Sequence, residues 1–135
     1  MGLDMYLYGA TMKINGETLT SEIKLEEAAY WRKHNAIHNW MVENIQDGVD
    51  NCAMYSLTDS DLNELLEACN KVLANPTVEN AMKILPTKTG SFFGGTDLTD
   101  EYEFKYYLGG LKYTVRIIKQ ILKRNYEYYY YRASW

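Results

Sequence analysis

Cysteine and proline are scarce, with two of each in 135 residues. Cys52 and Cys69 stand far apart in unlike contexts, which excludes a disulfide framework and a zinc knuckle and makes a reducing compartment the expectation. No apolar run approaches the roughly 18 residues of a membrane span, and the amino terminus has neither a basic n-region nor an apolar h-region, so no membrane association and no secretory signal are expected. A P-loop is missing, because Gly-Lys-Ser/Thr does not occur. A calcium loop is missing too, because Asp47, Asp50, Asp59 and Asp61 lack the regular spacing. No nucleophile triad is visible, and there is no internal repeat or low-complexity linker.

What is present is an ordinary globular balance, 47% hydrophobic and 24% charged, in a chain long enough for one domain, residues 1–135, with a modest core. Tyrosine is abundant, with 13 residues, and charge is polarised along the chain. Residues 105–135 carry seven bases and the single acid Glu127. With a net charge of −4 overall, residues 1–104 therefore carry −10. Such a field governs which partners are attracted rather than how the chain folds.

Residues 3–9 read as a strand, and Asn15-Gly16 between strand-like flanks favours a type I′ turn, hence a hairpin. From Glu26 to Ile45 the apolar residues fall at helical spacing. Tyr30, Trp31, Ile37, Met41, Val42 and Ile45 lie on one side, Arg32, Asn39 and Glu43 on the other, and Gly48 stands as the stop. Residues 52–57 read as a short strand or connector. Thr58 opens a capping-box-like start for a second helix with a stripe of Leu62, Leu65, Leu66, Cys69, Val72 and Leu73, broken at Asn75-Pro76. A short helix over 77–85, a loop over 86–96, a last helix over 106–124 weakened by Gly109-Gly110 and a β-prone segment over 126–133 follow. The class is α+β: a small antiparallel sheet from the N-terminal strands or hairpin and the C-terminal Tyr-rich strand, packed with three to four helices.

Several constellations could carry chemistry. His34 and His38, four apart, would share a helix face, but both fall beside Trp31 and Met41 with no third ligand nearby, so core or boundary histidines are expected rather than a metal site. Trp31, Arg32, Asn35 and His38 could stack a planar base and fork onto a phosphate, with Lys88 and Thr89 of the glycine-containing loop assisting. These six residues are the candidate ligand site, set against a boundary helix and a surface turn that Phe92 and Phe93 plug into the core. Lys112, Arg116, Lys119 and Lys123 form a basic stripe opposite Leu111, Val115, Ile118 and Leu122, fit to grip phosphates or merely solvated. Tyr126, Tyr128 and Tyr130 alternate with Glu127, Tyr129 and Tyr131, so both faces of the last strand are aromatic. One face can be core, and the other calls for a further layer, a partner or a ligand; Tyr126, Tyr128, Tyr129, Tyr130 and Tyr131 are the candidate interface.

The start Gly2-Leu3-Asp4-Met5-Tyr6-Leu7, the block Tyr30-Trp31-Arg32-Lys33 with Asn35-Ala36-Ile37-His38-Asn39-Trp40, the segment Gln46 to Cys52, Leu85-Pro86-Thr87, Phe92-Phe93-Gly94 and the closing Ser134-Trp135 resemble a family of small phage and prophage proteins over nearly the whole chain. His34, where that family has a small residue, and Gly109-Gly110, where it is more usually acidic, depart from the pattern. The resemblance implies expression in the cytosol of a bacterial host, and small acidic phage proteins outside the virion commonly bind and block host components, defence systems included. The expectation is a non-enzymatic binding protein without cofactor or metal. It would occlude a host protein or sequester an anionic, nucleotide-like small molecule. The alternatives are a small enzyme on a nucleotide-like substrate with His38 as acid or base, and a nucleic-acid binder using the last helix, which the negative net charge disfavours. Self-association is compatible with the surplus aromatic face.

Overall fold

The computed structural model describes residues 2–14 and 21–135. Strands β1 (Asp4–Ile14) and β2 (Ser21–Arg32) are followed by helix α1 (Asn35–Asn44), the short strand β3 (Tyr55–Leu57), helices α2 (Asp59–Ala74), α3 (Val78–Ile84) and α4 (Glu101–Leu122), and strand β4 (Tyr128–Ser134). The four strands form one antiparallel sheet in the order β2-β1-β4-β3, an α+β arrangement. As the Tyr-rich composition of the last segment suggests, β4 closes the domain by lying against β1, with Met5 opposite Ala133 and Leu7 opposite Tyr131. β1 pairs with β2 out to Ile14 opposite Ser21; the expected Asn15-Gly16 turn lies outside the described residues.

The largest departure from the sequence reading is at residues 26–32, which are strand, not helix. Glu-Glu-Ala-Ala favours a helix intrinsically, but pairing with β1 satisfies the backbone of the segment, and tertiary context overrides propensity. The pairing shifts between Leu7 and Tyr8, leaving Ala28 as an extra residue. That bulge turns both Ala28 and Ala29 inward. Beyond it the alternation is strict: Ala29 and Trp31 are buried while Tyr30 and Arg32 are exposed. The chain then turns at Lys33, whose φ of 46° is left-handed, and only at His34 does the helix begin.

The other helices follow local chemistry. Thr58 caps α2 with the Asp61 carboxylate reaching back to its N–H at 2.8 Å, a complete capping box with aspartate in the fourth place. Thr77 caps α3. Asp100 caps α4, whose first turn carries Glu101 and Glu103, so this helix starts five residues before the expected Tyr106; the acids suit the positive end of its dipole. Leu3, Met5, Leu7, Tyr129 and Tyr131 project from one face of the sheet onto Ile37, Leu62, Leu65, Leu111 and Ile118, forming a single core. The opposite face carries Tyr6, Tyr8, Tyr128 and Tyr130, none of them fully buried. Among the described residues no helix is long and apolar enough to cross a membrane.

Candidate functional site

Nearly every side chain of the first two turns of α1 is buried, polar ones included: His34, Asn35, His38 and Asn39 are each at most 4% exposed. The angular reading placed Asn39 on the solvent side. In the fold, the loops before β3 and after α3 wrap the start of this helix and cover it. Asn35 holds the second loop, its Nδ2 donating to the carbonyls of Lys88 at 3.2 Å and Gly94 at 3.0 Å. Asn39 Nδ2 reaches the Pro86 carbonyl at 3.4 Å. Both amides thus spend their N–H groups on the loop, and both oxygens, Asn35 Oδ1 and Asn39 Oδ1, are buried without a partner among the described residues.

His38 joins three elements. Its Nε2 donates to Asp50 Oδ1 at 2.8 Å, and its Nδ1 lies 2.7 Å from the Tyr131 hydroxyl on β4. Burial, reinforced by the negative charge of Asp50, holds the Tyr131 hydroxyl well above the usual tyrosine range, so it stays protonated. Phe93 meets the His38 ring edge-on, 5.5 Å between centroids. Asn35, His38, Asn39, Asp50, Lys88, Thr89 and Phe93 thereby enclose a narrow cleft of about 70 Å³. Exposed Lys88 and Thr89 stand among its lining.

His34 is occupied differently. As the N-cap of α1 it accepts from the Ile37 N–H at Nδ1, 3.3 Å away, and its Nε2–H donates to the Tyr107 carbonyl at 3.0 Å. Burial lowers its pKa, and the bond accepted at Nδ1 requires the neutral ring. The two histidines therefore do not share a helix face. Among the described residues no three His, Cys, Asp or Glu side chains gather as a metal site. The Cys69 thiol is pushed up to about 12 by burial and is no nucleophile.

Of the six residues expected at a ligand site, Asn35, His38, Lys88 and Thr89 come together, while Trp31 and Arg32 do not. Trp31 is 3% exposed and donates from its indole to Thr114 Oγ1 at 2.8 Å, so its face is closed to a stacking base. Arg32 points the other way, 3.5 Å from Asp4. The cause is the strand at 26–32: alternation sends neighbours 31 and 32 to opposite faces. The five-tyrosine interface divides for the same reason. Tyr129 and Tyr131 are core, and Tyr126, which precedes β4, is buried against Gly9 with its hydroxyl on Glu26. Only Tyr128 and Tyr130 occupy the outer face. Phe93 plugs the core as anticipated, whereas Phe92 remains 55% exposed, stacked on Trp135 at 4.9 Å.

Asn39, Asp50 and Phe93 complete the cleft and were not among the expected ligand residues. Asn39 could have been found from its i, i+4 relation to Asn35, had the helix been started at residue 35. Asp50 carries no local signal. Comparison with protein-family models, with curated proteins and with solved structures finds no match.

Proposed function

We propose that the chain is a binding protein whose cleft at the start of α1 captures a small molecule with hydrogen-bond donors on a compact or planar head and negative charge at its other end. The observation that carries this reading is the pair of buried, unpartnered oxygens, Asn35 Oδ1 and Asn39 Oδ1. Leaving a buried acceptor unpaired costs about 1–3 kcal/mol, and a ligand N–H or O–H that draws the Asn35 and Asn39 amides toward the cleft would remove that cost. The amino edge of a nucleobase offers such donors, with Phe93 and His38 as aromatic walls and Lys88 and Thr89 placed for phosphate. In the phage setting that the sequence resemblance implies, holding such a molecule would interfere with the host by withdrawing it.

A second reading, a small enzyme on the same class of molecule, draws on the Tyr131–His38–Asp50 chain. General acid–base work needs a ring nitrogen within reach of substrate. Both nitrogens of His38 are already engaged and its ring is 2% exposed, which favours binding over turnover.

Native mass spectrometry of the protein purified from a bacterial host tests the proposal. A bound mass of a few hundred daltons, lost on Asn39→Ala and weakened by Lys88→Ala, is expected. A bare wild-type spectrum, with no thermal shift from nucleotides, would sink it. Turnover abolished by His38→Ala in a folded variant would move the assignment to the enzyme.

A further inference from the structure

Two confluent depressions lie between the β2 edge and the first half of α4. One is lined by Tyr30, Tyr106, Tyr113 and the Gly109-Gly110 floor, the other by Lys33, Tyr102, Tyr106 and Glu103, and Arg32 borders both. The aromatic rings are accessible: Tyr102 is 82% exposed, Tyr106 50% and Tyr30 38%. The Arg32 side chain is 67% exposed, Lys33 is exposed, and the Arg116 guanidinium sits 5.6 Å from the Tyr113 ring centroid. The acids nearby are partly engaged, Asp4 by Arg32 and Tyr30, and Glu103 by the Asp97 N–H at 2.6 Å. The lining thus sets Arg32 and Lys33 against Glu103, a small positive excess in a chain of net charge −4.

The glycines add a second, independent observation. Two adjacent glycines inside a helix weaken it and need a reason. Gly110 has one, because a Cβ there would overlap the His34 ring. Gly109 has none in the packing: a Cβ there would meet nothing within 4 Å, and the residue faces the open groove. A bare backbone on a groove floor permits close approach of a ligand.

We infer that this groove binds single-stranded nucleic acid, one base against Tyr102 and Tyr106, the next over the Gly109 floor beside Tyr30 and Tyr113, with the intervening phosphate on Arg32. Aromatic platforms separated by a guanidinium match the alternation of bases and phosphates along a strand, and stacking on tyrosine is tolerant of sequence. Arg32 and Lys33 contact about two phosphates, so affinity should fall on the order of sevenfold between about 50 and 200 mM salt. This inference is independent of the cleft at α1.

The test is fluorescence anisotropy of a short labelled oligothymidylate against the full chain. Wild type is expected to bind with the shallow salt dependence just given. Gly109→Leu, which fills the floor, and Tyr102→Ala, at a fully solvated ring, should each weaken binding about fivefold or more while circular dichroism is unchanged. Lys71→Ala, on the exposed face of α2, should leave it intact. No binding by wild type overturns the inference and leaves the groove to a protein partner. Binding that survives Gly109→Leu but is lost on Lys119→Ala and Lys123→Ala overturns it in favour of the basic stripe, and thymidine monophosphate binding as tightly as the strand overturns the two-base geometry.

Discussion

The ten residues Tyr30 to Asn39 supply two regions of opposite construction. Residues 35–39 build a cleft from buried polar side chains whose hydrogen bonds hold two loops and β4 to α1. Residues 30–33 border a groove in which the Tyr30 N–H donates to the Tyr113 hydroxyl and the Tyr106 hydroxyl to the Arg32 carbonyl, while the Tyr102 ring, 82% exposed, stands apart from those bonds. In the first region, architecture and recognition are carried by the same atoms. In the second they are separable, so a substitution there can change binding without touching the fold.

The most direct way to break that contrast is His38→Ala. It strands the Tyr131 hydroxyl in the core and frees Asp50, and an unfolding free energy lower by about 3 kcal/mol is expected from urea denaturation. A loss under 1 kcal/mol would show that the cleft does not hold the fold. Gly110→Ala comes next. The new methyl overlaps the His34 ring, which is pinned between Ile37 and Tyr107, and a cost of about 2 kcal/mol should appear in the same assay.

His34 makes stability depend on pH. Its folded pKa lies below the ordinary 6.5, so below pH 6.5 the unfolded chain takes up a proton that the folded chain refuses. The stability present above pH 6.5 is then lost as pH falls, with a limiting slope of about 1.4 kcal/mol per pH unit. His34→Asn retains a capping acceptor and should flatten the profile between pH 6.5 and 5, measured by urea denaturation at several pH values.

The groove gives the small effects. Gly109→Ala, with open space at its Cβ, should raise the unfolding free energy by about 1 kcal/mol. Tyr102→Ala should move it by less than about 0.5 kcal/mol. If Tyr102→Ala proved as costly as Gly110→Ala, the groove would be part of the scaffold and the two regions would not differ in kind.

Much of the fold was legible without coordinates. Thr58 with Asp61, the Leu62–Leu65–Cys69–Val72 stripe, the Asn75-Pro76 break and the β-prone tyrosines each encode their structure within a few residues, and each stands where local chemistry put it. Four of six ligand candidates meet for a related reason: Asn35 and His38 share the start of α1, and Lys88 and Thr89 share one loop. The misreading at 26–34 arose because Tyr30, Trp31, Ile37 and Met41 satisfy a helical period that spans a strand, a left-handed Lys33 and a true helix start at residue 35.

By itself, then, the sequence determined the α+β class, the cap of α2 and the inward and outward alternation of β4, because these depend on neighbours in the chain. Only the tertiary structure decided that β2 runs on to Arg32, that Trp31 and Arg32 part company, and that Asp50 finds His38 while Tyr131 closes the chain from β4. Those outcomes rest on backbone pairing with β1 and on contacts between residues as many as 93 positions apart, which no local pattern of residues records.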